Sequence, residues 1–107
     1  MNEEKYNERV MQMSAYCALQ ARLLELYNPE YNDEVMLREI SPVASKAIIS
    51  KKEKNLISLE NLSKSLEERI SEFERQKPDI LNSPEVGEVI ELLGERKRDY
   101  EELNRDS

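Results

Sequence analysis

Histidine and tryptophan are missing from this chain of 107 residues, and cysteine (one), phenylalanine (one), glycine (two) and proline (four) are scarce. Each scarcity excludes something. Without histidine there is no imidazole for acid–base chemistry near neutral pH, for a phosphohistidine relay, or for a usual structural zinc site. A lone Cys17 cannot close an internal disulfide, and a reducing, cytoplasmic setting is expected. Gly87 and Gly94 cannot make the G-x-x-x-x-G-K-[ST] or G-x-G-x-x-G loops that cradle phosphates. So few glycines and prolines also argue against an all-β chain with many turns and against low-complexity sequence. No apolar run approaches the ~18 residues of a membrane span. The longest uncharged stretch near the start, 10–21, includes Gln12, Ser14 and Gln20 and follows Asn2-Glu3-Glu4. Neither membrane association nor a secretory leader with a basic head is expected.

Charge is what the chain has in abundance. Charged residues make up 36% of it, against the usual ~25%, and the net charge is −7. That sign disfavours nucleic acid as a partner, because such binding draws largely on phosphate neutralisation. The charge is unevenly placed. Residues 1–40 sum to −4, residues 41–64 to +3 and residues 65–107 to −6. A basic middle between acidic ends attracts those ends, within one chain or between copies.

Proline divides the sequence into helical segments. The residue before proline is pushed out of the α region, so Asn28-Pro29 closes a first helix over 3–27. Ser41-Pro42 and Ser83-Pro84 read as N-cap plus first helical residue. They open a long central helix over 42–76, ended by Gln76-Lys77-Pro78-Asp79, and a last helix over 84–104. A short helix over 33–40 follows Asn32 or Asp33. The first helix carries two apolar seams, Tyr6, Val10, Met13, Cys17, Gln20, Leu24, Tyr27 and Tyr16, Leu19, Leu23, Leu26, so it should be covered on two sides. The central helix places Ile49, Leu56, Leu59, Leu66, Ile70 and Phe73 on one stripe, with Lys52 and Ser63 filling the remaining positions. At 35 residues it would run ~52 Å. A compact domain of this size has a radius of gyration near 13 Å, so the excess length argues for self-association. In the last helix the heavily charged stretch 95–106 is expected to fray.

Four features are candidates for function. Lys46, Ser50 and Lys54 are spaced by four and would line one face of the central helix near its N-terminus, as an anion or nucleotide site. Cys17 lies mid-helix on an apolar seam with no cation nearby, which reads as a buried structural thiol. Glutamates at 67, 68, 72, 74, 85, 88, 91 and 95 form acidic faces, and without histidine they do not make a di-iron site. Tyr6, Tyr16, Tyr27 and Tyr31 crowd into the first 31 residues, and tyrosine is enriched at interfaces. Together with Leu19 and Leu23 they form the expected partner-binding set, with 27–31 as an exposed aromatic loop.

The expected fold is all-α: an antiparallel helical hairpin or three-helix bundle with one long central helix and coiled-coil-like packing in a single domain. The expected function is a non-enzymatic protein-interaction module, an adaptor, chaperone-like factor or inhibitor, acting as a homo-oligomer. A protein that sequesters or senses an anionic ligand such as a nucleotide is the alternative. No catalytic residue, metal or cofactor is expected.

Overall fold

A computed structural model describes residues 3–105. The protein is all-α, with five α-helices, a 3₁₀ turn and no strand among the described residues. The elements are α1 (Glu3–Tyr27), α2 (Asp33–Glu39), α3 (Ser41–Ser50), α4 (Glu53–Gln76), the 3₁₀ turn Pro78–Asn82, and α5 (Pro84–Arg105). No described helix is long and apolar enough to cross a membrane.

α1 is the centre of the structure, with α4 and α5 as its main neighbours and α3 touching it as well. Contacts between α1 and α4 run in the same order along both: Tyr6 with the Lys52 carbonyl, Cys17 with that of Leu59, Gln20 with Ser63, Tyr27 with Glu74. The two helices are therefore parallel. A parallel pair needs a return path, and α2 and α3 supply it by carrying the chain from the end of α1 back to Tyr6. Two capping devices start this return. The Asn28 side chain accepts from Glu30 N at 3.1 Å, and Asn32 Oδ1 caps α2 by accepting from Glu34 N and Val35 N.

The expected long helix over 42–76 does not form. It is folded into a helical hairpin, α3 against α4, with Lys51 and Lys52 as the turn. Lys51 adopts the left-handed conformation, φ 52° and ψ 32°. The physical reason lies in which residues can be buried together. Ala47 and Leu56 are both fully buried, yet nine residues apart on one straight helix they would face opposite ways, about 180° apart. The turn brings both inside. The Tyr6 hydroxyl points into the turn, within hydrogen-bond reach of two carbonyls that also accept backbone N–H groups, Ala47 O at 2.9 Å and Lys52 O at 3.0 Å. The buried Asn55 amide donates to Ser50 Oγ, which in turn donates to Lys46 O. Ion pairs Lys51–Glu3 and Arg9–Glu53 close the outside. With the helix folded back, the chain measures 44 × 28 × 18 Å and its radius of gyration is 14.3 Å. The length argument for self-association thereby falls.

The turn makes a prediction whose sign is diagnostic. A left-handed non-glycine residue costs roughly 1–2 kcal/mol, whereas glycine inside a straight helix costs about 1 kcal/mol relative to alanine. Lys51→Gly should therefore be more stable than Lys51→Ala by about 1 kcal/mol in urea melts. An uninterrupted helix would give the reverse order.

The core runs the length of α1. Val10, Cys17, Leu23, Leu24, Leu56, Leu59 and Leu66 are essentially inaccessible. Two polar side chains sit among them as a matched pair. Gln20 Nε2 donates to Ser63 O at 3.0 Å, and Ser63 Oγ donates to Gln20 Oε1 at 2.8 Å. The polar interruptions of the two seams thus satisfy each other. α5 does not fray over 95–105: it stays helical to Arg105, held by the buried Tyr100, whose hydroxyl donates to Glu60 Oε2 at 2.9 Å. Residue 106 lies outside the described residues.

Candidate functional site

The tyrosines sort themselves by what their hydroxyls do. Tyr6 bonds the α3–α4 turn, Tyr27 donates to Glu74 Oε2 at 2.8 Å, Tyr31 to Glu39 Oε2 at 3.2 Å, and Tyr100 to Glu60. All four rings are buried. The segment 27–31 is consequently not an exposed aromatic loop. Its two rings turn inward, Tyr27 against Phe73 with centroids 6.5 Å apart, and only the hydroxyls reach carboxylates at the surface. Glu39 is held in turn by Arg69 at 2.8 Å. Leu23 is buried as well. Of the six residues expected to meet a partner, Tyr6, Leu23, Tyr27 and Tyr31 are committed to the core, and Tyr16 and Leu19 remain half-buried at its edge.

Tyr16 differs from the rest. Its hydroxyl has no hydrogen-bond partner among the described residues. It lines a cleft of about 260 Å³ over α1, between α4 and α5. Met13, Tyr16 and Tyr100 supply apolar lining, and Glu60, Lys64, Glu67, Lys97 and Glu101 add charge. Burial, followed by the carboxylates of Glu67 and Glu101, pushes the Tyr16 hydroxyl above the usual tyrosine range. The neutral hydroxyl therefore persists at any physiological pH, beside negative charge. Of the cleft residues, sequence places Glu67 among the acidic faces, whereas Met13, Tyr100 and Glu101 carry no site signal there. Met13 neighbours Tyr16 one turn away on α1, whereas Glu67 on α4 and Tyr100 and Glu101 on α5 reach it only once the three helices are assembled.

The expected anion site is dismantled by the turn. Lys46 and Ser50 are on α3 and Lys54 is on α4, so the spacing of four no longer describes one helix face. The Ser50 hydroxyl is already engaged on both sides, donating to Lys46 O and accepting from Asn55. A shallow depression includes Lys46 with Pro42, Val43, Asn55 and Ser58, but neither Ser50 nor Lys54. Cys17 is a buried free thiol whose Sγ lies 3.9 Å from Leu59 O. Burial pushes it up to about 12, far from the lowered values of reactive thiols. Among the described residues no group of three or more His, Cys, Asp or Glu side chains is placed to hold a metal ion.

The broken helix also changes which apolar residues face solvent. Ile49, expected on the buried stripe, is 82% exposed, and its neighbour Ile48 is 51% exposed. On α5, Leu92 is 46% exposed and borders a depression lined by Glu88, Glu91 and Glu95.

No family model, curated protein or solved structure matches the chain.

Proposed function

We propose that this protein is a non-enzymatic helical interaction module that acts as a homo-oligomer and takes a side chain of a protein partner into the Tyr16 cleft. The observation that carries this reading is the unpartnered Tyr16 hydroxyl over an apolar lining, in a fold that gives every other tyrosine hydroxyl an internal acceptor. Size favours a side chain over a free ligand. At about 260 Å³ the cleft lies below the ~300–1,000 Å³ of small-molecule sites. Chemistry favours an apolar shaft ending in a cation. The aliphatic part of a lysine or arginine covers Met13 and the tyrosine rings, and its head meets Glu67 and Glu101. An arginine would add stacking on the ring and a planar fork for a carboxylate.

The test is retention of a partner on immobilised protein, compared with Tyr16→Ala and with Glu67→Gln/Glu101→Gln. Loss of a central interface tyrosine should weaken binding by about tenfold or more. Equal retention by wild type and Tyr16→Ala would remove the cleft from the interface. A concentrated sample that stays monomeric and retains nothing would overturn the whole reading.

A further inference from the structure

We infer that the solvent face of α3 in one copy docks on the solvent face of α5 in a second copy. This rests on the homo-oligomer reading above and specifies its surfaces. The argument is complementarity of two faces that the chain itself leaves uncovered. On α3, Ile48 and Ile49 project to solvent beside Lys46, with Lys52 and Lys54 just beyond the turn. On α5, Leu92 projects to solvent among Glu88, Glu91 and Glu95. These three lysines and three glutamates are all exposed, and none is in an ion pair among the described residues. One face is apolar and positive, the other apolar and negative. Each offers what the other needs to bury its leucine or isoleucines without stranding a charge.

Because the two faces are different surfaces, the contact is heterologous: each copy presents one of each. That property gives a decisive experiment. Ile49→Asp blocks the α3 face and leaves α5 intact. Leu92→Asp/Glu91→Lys blocks the α5 face and leaves α3 intact. All three positions are exposed, so both variants should fold, which circular dichroism verifies. Light scattering coupled to size exclusion is run over roughly 10 µM to 1 mM, the range of weak association. Wild type should self-associate, more weakly as salt rises. Each variant alone should be monomeric, with self-association weakened at least tenfold. Mixed together they should form a one-to-one heterodimer and stop there, because only one intact contact remains.

Failure is equally legible. Wild-type self-association that persists in both variants overturns the α3–α5 contact and leaves the homo-oligomer standing on other surfaces. Variants that stay monomeric when mixed also overturn it. A wild-type chain that is monomeric throughout overturns this contact and the homo-oligomer together.

Discussion

Raising the pH from about 9 to about 12 should unfold this protein cooperatively. Burial, then the charge and hydrogen bond of Glu39, push Tyr31 up to about 12. Burial, then the hydrogen bond and charge of Glu60, do the same for Tyr100. Tyr6, Tyr16 and Tyr27 are raised too, with burial leading in each case, and Cys17 is pushed up to about 12. The sign follows directly. In the unfolded chain a thiol ionises near 8.5 and a tyrosine near 10. Between those values and the raised folded ones, only the unfolded state releases its protons. The stabilisation is complete below the unfolded values and is lost as pH climbs through the folded ones. Each group contributes at most about 1.4 kcal/mol per pH unit across the window, less where solvent reaches the tyrosine–carboxylate tips. Six such groups together reach several kcal/mol, comparable with the whole stability of a small domain, ~5–15 kcal/mol. Helical circular dichroism and tyrosinate absorbance, followed together, provide the check. They should change in one step. Free titration of tyrosine near pH 10 with the helices intact would contradict it. Tyr31→Phe and Tyr100→Phe should each shift the transition to higher pH.

The buried Gln20–Ser63 pair carries the second large effect. Gln20→Leu removes both hydrogen bonds, and Ser63→Ala strands the Gln20 oxygen in a dry core. A buried polar group left without its partner costs ~1–3 kcal/mol. Gln20→Leu/Ser63→Ala replaces both partners by apolar groups and should recover most of that loss, giving a coupling of about 1 kcal/mol or more in a double-mutant cycle. Additive losses would show that the two side chains do not act as a pair. The double variant should nevertheless be less uniquely ordered, because a single polar match inside an apolar seam fixes which turn of α1 faces which turn of α4.

That pair shows what was legible in the sequence. Gln20 interrupts the seam of the first helix and Ser63 that of the central one, and α1 is indeed flanked by two helices, as its two seams imply. Asn28-Pro29 and Ser83-Pro84 stand at real helix boundaries, and Asn32 is a real cap. The α3–α4 turn was not legible, since it contains neither glycine nor proline and places lysine in a left-handed conformation. Ser50-Lys51-Lys52-Glu53 has the S-x-x-E spacing of a capping box, but Ser50 ends α3 and the cap of α4 is Lys52, so the motif does not mark this turn. The turn is fixed by tertiary contacts: the hydroxyl that holds it comes from Tyr6, more than 40 residues away. From the missed turn followed the other errors, the buried position given to Ile49 and the stripe of Lys46, Ser50 and Lys54. The burial of Tyr27 and Tyr31 was hidden for a similar reason, because the carboxylates that receive their hydroxyls lie on other helices.

The parallel pairing of α1 with α4 has a consequence for how the protein is born. α1 is synthesised before the elements that cover it, and its hydrogen-bonded contacts with the α3–α4 hairpin span 41 to 47 residues. Its other long neighbour, α5, comes later still. The α3–α4 hairpin closes through nearby residues and can form early, whereas α1 must stay sticky and unsheltered until α4 and α5 have been made. A chain stopped short of α5 would display that second seam permanently, so for this protein incomplete synthesis and aggregation are the same hazard.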